Sequence, residues 1–500
     1  MTAKAVMVLG TTSGAGKSWL ATALCRWYVR QGLKVAPFKA QNMSNNARVV
    51  PCRPSAGPGP LRPEGQRMGE IGSAQYFQAL AARRQPDARM NPVLLKPERD
   101  TASQVVVLGE VDEALSRAPW RDRSERLWLR AKPALHELLA ENDVVVIEGA
   151  GSPAEINLHD SDFVNMRTAL EADAACLLVA DIDRGGAFAH LYGTYELLLP
   201  HERSLIRGFV LNRFRGDAAL LAPGPEQLRT LTGIPTVAVL PMWRGHGLPE
   251  EDGVFDDVPA DNGSTTPGPR IAIVAYPRLS NLDEFQPLRD LPGLRLIWAR
   301  EPAQLEGVDW IILPGSKAVA SDLAWLRAQG FDLAVARHAA SGKRVLGICG
   351  GFQMLGELML DPHGLDGEAR GLGLLPLVTC FEADKLLRST RLHFASLEAP
   401  WDSLSHVEAE GYEIHHGRTA PGSGPSAATV AAYGDGHEPI GWQAGPVMGW
   451  YAHGLFEKPS VMNALFGRVA PSLDSVFDGL ADFIDLHFEP GVLLDLLRQA

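Results

Sequence analysis

Ala5-Val-Met-Val-Leu-Gly-Thr-Thr-Ser-Gly-Ala-Gly-Lys-Ser18 runs from an apolar stretch into a glycine-rich loop, and a helical pattern follows from Trp19 to Arg30. A short, continuous apolar run predicts a strand buried on both faces. Strand, glycine loop and helix in that order predict a parallel α/β sheet. The loop comprises Gly10, Thr11, Thr12, Ser13, Gly14, Ala15, Gly16, Lys17 and Ser18. Its backbone N–H groups converge at a helix start and form a nest for phosphate. Lys17 adds a charge for the β and γ phosphates, and Ser18 is placed to ligate Mg2+. ATP is the expected occupant. The spacing departs from strict G-x-x-x-x-G-K-[ST], because Thr11 stands where the first glycine is expected and Gly10 lies one residue earlier. An accidental glycine turn is the plainer alternative, and the strand and helix on either side count against it.

Apolar runs recur at 144–147, 176–180, 207–211 and 236–240, separated by stretches long enough for helices. That alternation extends the parallel sheet. Glu148 follows the run at 144–147 and opens Glu-Gly-Ala-Gly-Ser-Pro153. An acid at the carboxyl end of a parallel strand shares the rim of the phosphate loop, so Glu148 is a candidate magnesium ligand, directly or through water. A capping or solvated carboxylate is the bland alternative. Asp181-Ile-Asp-Arg184 ends the next run, and Arg184 is expected either to meet a phosphate or carboxylate or to form a structural ion pair. Runs at 271–275, 295–298, 310–313 and 344–348 repeat the pattern and predict a second α/β domain.

The run at 344–348 ends in Gly347-Ile-Cys349-Gly-Gly-Phe-Gln353. A cysteine between glycines at a strand-to-helix turn is an exposed elbow, and the helix start behind the sulfur favours thiolate. The alternative is a packing cysteine, which has no need of glycines on both sides. A thiolate that attacks a carbonyl needs a base and an oxyanion hole. His453, in Gly449-Trp-Tyr-Ala-His-Gly-Leu-Phe-Glu457, is the best-framed imidazole; His415 and His416 form a second polar cluster. The Gly350 N–H, with one from the loop Leu313-Pro-Gly-Ser-Lys317, is the candidate oxyanion hole.

With 47 Lys and Arg against 59 Asp and Glu, the formal charge of -12 argues against a general nucleic-acid or membrane-surface binder. Cysteines 25, 52, 176, 349 and 380 are scattered, without metal-site or disulfide spacing, which fits a reducing compartment. No apolar run approaches the ~20 residues of a membrane span. A soluble, unprocessed, cytoplasmic protein is expected, acting on small molecules, with an oligomeric state left open. Acids, Gly, Pro and Ser dominate 250–269, the best linker candidate. The expected domains are 1–249, with the phosphate loop; 270–460, a second α/β domain; and 461–500, a helical extension that caps the second domain or serves a subunit contact. The Pro-rich 51–65 is expected to be a surface loop or insertion.

Gly-Ile-Cys349-Gly-Gly-Phe-Gln with a distant His453-Gly-Leu-Phe-Glu resembles the class I glutamine amidotransferases, in their cobyric acid and cobyrinic acid a,c-diamide synthase branch. The N-terminal half looks like the dethiobiotin synthetase type of phosphate-loop ligase, so the resemblance implies a synthetase domain over 1–249 and a flavodoxin-like amidotransferase domain over 270–460. Pro37-Phe-Lys-Ala-Gln-Asn-Met-Ser-Asn-Asn46, Met90-Asn-Pro-Val-Leu-Leu-Lys-Pro97, Asp181-Ile-Asp-Arg-Gly-Gly186 and Asn212-Arg-Phe-Arg-Gly-Asp217 are similar to the cobyric acid synthases within that branch. The resemblance implies ATP-dependent amidation of the b, d, e and g carboxylates of adenosylcobyrinic acid a,c-diamide, with ammonia from glutamine. It makes Cys349 the nucleophile and His453 the proton shuttle, and carries Lys39, Gln41 and Asn42 over as substrate or phosphate contacts. Many class I enzymes place a glutamate two residues after the histidine; Leu455 stands there in this chain. Either Glu457 orients His453, or the site is a Cys-His dyad.

Two rivals remain at this level. The a,c-diamide synthase has the same chemistry on other carboxylates, and the Gln41–Asn46 motif counts against it. A phosphate-loop regulatory ATPase with a non-catalytic second domain is the other, and an intact Cys349 and His453 count against that.

Overall fold

Val6 and Val8 pack on one face of strand β1 (Lys4–Gly10), and Ala5, Met7 and Leu9 on the other. Both faces need apolar cover, which is why the run is continuous and not alternating. The computed structural model describes residues 3–52, 67–99, 102–249, 268–422 and 428–498. Most of the Pro-rich 51–65 and of the linker candidate 250–269 lies outside the described residues.

β1 pairs in parallel with β3 (Val144–Glu148) and β4 (Ala175–Asp181). β2 (Val35–Phe38), β5 (Ile206–Phe214) and β6 (Thr236–Pro241) complete a sheet of order β6-β5-β4-β1-β3-β2. The chain goes from β1 to one side and later to the other, so the loop after β1 opens at a switch point, where open α/β sheets bind ligands. Helix α1 (Lys17–Arg30) follows that loop directly.

The chain divides into two units, Met1–Ser44 with Val50–Leu248 and Ser472–Ala500, and Asn45–Val49 with Pro249–Pro471. Two departures from the sequence-based boundaries stand out. Asn45–Val49 groups with the second unit. Of the expected extension at 461–500, helix Pro459–Phe466 groups with the second unit, whereas α4 (Leu473–His487) and α5 (Val492–Arg498) belong to the first. Phe477, Leu480, Ala481 and Ile484 of α4 share a core with Leu20, Leu24 and Tyr28 of α1. The Trp27 indole N–H donates to Asp485 Oδ1 at 2.7 Å, and the Tyr28 hydroxyl to the Leu493 carbonyl at 2.8 Å. The chain from Leu473 on therefore packs within the first unit, because the apolar face of α1 needs a partner.

In the second unit, β7 (Arg270–Val274), β8 (Arg295–Ala299), β9 (Trp310–Leu313), β10 (Arg344–Ile348) and β15 (Val447–Trp450) pair in parallel, in the order β8-β7-β9-β10-β15. An antiparallel part continues from β15 through β14 (Pro439–Ala444) and β13 (Thr429–Tyr433) to β11 (Leu377–Phe394), which pairs with β12 (Glu408–Pro421). The register Ile348↔Trp450 sets the ends of β10 and β15 side by side. Cys349 follows one and His453 the other. Among the described residues no helix is long and apolar enough to cross a membrane.

Candidate active sites

Lys17 folds back over the phosphate loop, its Nζ donating to the Thr12 carbonyl at 3.0 Å and to the Gly151 carbonyl at 3.1 Å. A Cβ at position 10 would lie 2.9 Å from that Nζ, so Gly10 provides the clearance, and the displaced first glycine of the motif is explained. Thr11 N–H is bound to the Val179 carbonyl at 2.9 Å, and Asn212 Nδ2 braces the Ala15 carbonyl at 2.9 Å.

Glu148 is 1% exposed and sits at the centre of a polar cluster. Its Oε1 accepts from Ser18 Oγ at 2.8 Å and from Lys39 Nζ at 2.7 Å; its Oε2 accepts from Gln78 at 2.5 Å and from Gln75 at 3.4 Å. Burial alone pushes this carboxyl up. Lys39 beside it, with the hydrogen bonds from Lys39, Gln78 and Ser18, outweighs burial and holds it below the ordinary carboxylate range. An ionised carboxylate and a hydroxyl in contact are hard oxygen donors of the kind Mg2+ takes, and Mg2+ completes its shell with water and phosphate oxygens. Lys39 is thus placed against Glu148. Gln41 instead lines a cavity of about 210 Å³, together with Arg123, Gly151, Ser152, Phe163 and Asn165. Burial holds the Arg123 guanidinium below its ordinary value. Arg184 lies 3.6 Å from Asp181 with its side chain largely exposed, and Arg213 is nearer to the same acid at 3.0 Å.

In the second unit Cys349 has φ 50 and ψ -109, between β10 and helix α3 (Gly350–Leu355). The left-handed backbone falls on the cysteine itself and not on a glycine, which marks a strained elbow. A Cβ at Gly351 would lie 1.9 Å from the Leu313 carbonyl, and one at Gly350 2.8 Å from the Ser316 nitrogen. Those two positions must stay bare because the loop after β9 packs against the turn, where the oxyanion hole is expected. Cys349 N–H donates to the Trp450 carbonyl at 2.9 Å, and the thiol faces the Ile414 carbonyl at 3.7 Å.

His453 is 1% exposed and close enough to the Cys349 side chain to feel its charge. Its Nδ1 lies 2.9 Å from Glu284 Oε1, whose partner oxygen accepts from the Gly454 N–H at 3.0 Å. Burial pushes the imidazole down, but Glu284 and Cys349 beside it raise it to about 10. Nδ1–H therefore donates to Glu284 at neutral pH. Glu457 is turned to Arg48 instead, at 2.5 Å. The expected choice between Glu457 and a dyad is thus replaced by a third arrangement, Cys349-His453-Glu284. His415 takes no part in it: it is bound to Glu413 at 3.1 Å and the Gly417 carbonyl at 2.8 Å, and stacks on Tyr451 at 3.8 Å. His416 is bound to the Glu382 carbonyl.

Residues 6–244 match the CobQ/CobB/MinD/ParA nucleotide binding domain, and residues 270–461 the CobB/CobQ-like glutamine amidotransferase domain. A cobyric acid synthase of Methylibium petroleiphilum is 66% identical, over 100% of this chain and 97% of that protein. Cobyric acid synthases of Leptothrix cholodnii and Variovorax paradoxus are 65% and 64% identical, each over 99% of this chain and over 97% and 100% of their own lengths. The chain belongs to the cobyric acid synthase family. In this member of the family, Glu284 carries no sequence signal that points to His453. It lies 169 positions upstream, in a short turn Leu282–Phe285 that follows Asn281 in a left-handed conformation. The absence of an acid at position 455 left only Glu457 or a Cys-His dyad in view from the sequence.

Proposed function

We propose that this chain converts adenosylcobyrinic acid a,c-diamide to adenosylcobyric acid by ATP- and glutamine-dependent amidation of the b, d, e and g carboxylates. The observation that carries the proposal is the presence, in one chain of this family, of a phosphate loop braced on Glu148 and a cysteine elbow backed by His453 and Glu284.

At the second site the Cys349 thiolate attacks the glutamine amide carbon, and the oxyanion forms beside the Gly350 N–H. The protonated His453 gives its proton to the departing ammonia. It then takes a proton from the water that cleaves the thioester and frees glutamate. Glu284 holds the ring with Nδ1 inward and compensates its charge, the part an orienting acid plays in a triad.

Ammonia does not displace the oxygen of a free carboxylate, so the first site activates each one. The carboxylate oxygen attacks the γ phosphorus of ATP, ADP leaves, and ammonia then displaces phosphate from the acyl phosphate. Lys17 and the loop N–H groups neutralise the charge on the transferred group. Ser18, and Glu148 directly or through water, would hold Mg2+, which would supply further charge neutralisation. The cavity beside Gly151 is large enough for a substrate side chain and too small for a corrin ring, and Arg123 gives it a cation for the carboxylate. Mass spectrometry of adenosylcobyrinic acid a,c-diamide incubated with ATP, Mg2+ and glutamine is expected to show four successive acid-to-amide changes. An unchanged mass contradicts the proposal, and changes at the a and c positions of cobyrinic acid favour the diamide synthase.

A further inference from the structure

Arg48 lies in Asn45–Val49, the segment that groups with the second unit although it belongs to the N-terminal half of the sequence. It is 2% exposed. Its Nε donates to Asp283 Oδ2 at 2.8 Å, and its Nη2 reaches both Asp283 and Glu457. Asp283 is the neighbour of Glu284, and Glu457 closes the turn that begins just after His453. The guanidinium also lies over the Tyr412 ring at 5.1 Å. Tyr412 in turn stacks on His453 at 5.4 Å and exchanges backbone hydrogen bonds with it. Two positions away, Asn46 Oδ1 accepts from the Leu282 N–H at 2.9 Å. One short segment thus grips the turn carrying Glu284, the ring stacked on His453 and the turn after it.

The electrostatics give this grip a function. Glu284 binds the imidazole, Asp283 adjoins Glu284 in the same turn, and Glu457 closes the turn after His453; Arg48 pairs with Asp283 and Glu457. Burial and the charges of Glu457 and Glu284 push the Asp283 carboxyl up, and Arg48 draws it back. A buried carboxylate that loses its cation either takes a proton or leaves its place, and either change moves the adjoining Glu284. A rigid planar fork can hold two carboxylates at fixed angles, which the point charge of a lysine does not do.

We infer that Arg48 is a positioning residue of the glutaminase, holding the Asp283–Glu284 turn and the Glu457 turn on either side of His453. The N-terminal half of the sequence thereby supplies a part that the glutamine site needs. The inference rests on the proposed glutaminase role of Cys349, which Cys349→Ala tests separately. If that variant still hydrolyses glutamine, the nucleophile assignment fails whatever Arg48 does.

Beside the Cys349-His453 pair stand Glu284, Tyr276, Tyr412 and Tyr451, whereas Asp283, Glu457 and Arg48 bear on it through Glu284 and Tyr412. Removing the Arg48 guanidinium leaves Asp283 and Glu457 without their shared cation and loosens the turn that holds Glu284 against His453. In the full-length protein, Arg48→Met is expected to lower kcat for glutamine hydrolysis roughly 10- to 100-fold with KM changed less than about twofold. Alkylation of Cys349 by iodoacetamide, followed at its own peptide by mass spectrometry over a pH series, is expected to slow severalfold. Amidation supported by free ammonium should stay within about twofold, which reports an intact fold. Arg48→Lys should recover part of kcat, and Arg48→Met combined with Asp283→Asn should return the alkylation profile toward the parent. An unchanged kcat and alkylation profile in Arg48→Met overturns the inference. So does loss of ammonium-dependent amidation in both Arg48→Met and the charge-neutral double variant, since that marks a merely structural role.

Discussion

Glu284 decides how His453 behaves. An imidazole raised to about 10 stays protonated through neutral pH, which in the proposed mechanism readies it to donate a proton to ammonia after attack by Cys349. The sign for stability follows. The folded value lies above the unfolded one of ~6.5, so the His453–Glu284 pair stabilises fully below that value and loses its contribution as pH rises through about 10. NMR of the His453 ring is expected to show no titration between pH 6 and 8, and a normal titration near 6.5 would contradict the pairing. Glu284→Gln should lower kcat for glutamine hydrolysis by about 10²- to 10⁴-fold while ammonium-dependent amidation is kept. Cys349 and His453 were legible in the sequence because each sits in a local pattern, glycines about an elbow or an aromatic strand end before a glycine. Glu284 was not, because its meaning comes only from a fold that closes 169 positions. Glu457 was the nearest acid in sequence, and proximity along the chain misled because Arg48, with 2% exposure, takes that carboxylate.

The parallel strands are the elements a sequence declares most clearly, since burial on both faces demands an unbroken apolar run. β1, β3, β4, β5 and β6, and β7 to β10, lie within a residue or a few of the runs that announced them. The hairpin of β11 and β12 was not legible. Long parts of β11 are exposed or half-buried, as in Glu382-Ala-Asp-Lys385, and leave no apolar run to find. The helical spacing of the tail was legible but its destination was not, because an apolar face does not say which surface it covers. Leu480→Ala removes a side chain buried against α1 and should cost about 2–4 kcal/mol in denaturant unfolding. Leu486→Ala, on the same helix but 78% exposed, should stay within about 0.5 kcal/mol. Equal effects would show that α4 does not pack on α1. Since α1 begins at Lys17, the Leu480 variant should also weaken ATP binding.

At the scale of the molecule, the two chemistries are separable by where their residues stand. Lys17→Ala is expected to abolish amidation with either glutamine or ammonium as donor and to leave glutamine hydrolysis measurable. Chelation of Mg2+ should give the same pattern, because the proposed metal ligands Ser18 and Glu148 stand beside the phosphate loop and not beside Cys349. A formal charge of -12 agrees with a protein whose ligands are small molecules, with its cations held at particular sites such as Lys17, Lys39 and Arg123. The central claim is that nitrogen is released at Cys349 and consumed at the phosphate-loop site. The most direct test supplies glutamine labelled with ¹⁵N in its amide together with excess unlabelled ammonium, and weighs the product amides by mass spectrometry. The parent protein is predicted to place ¹⁵N in all four new amides, and Cys349→Ala only unlabelled nitrogen at a preserved ammonium-dependent rate. Label in the product of Cys349→Ala, or none in that of the parent, would contradict the account.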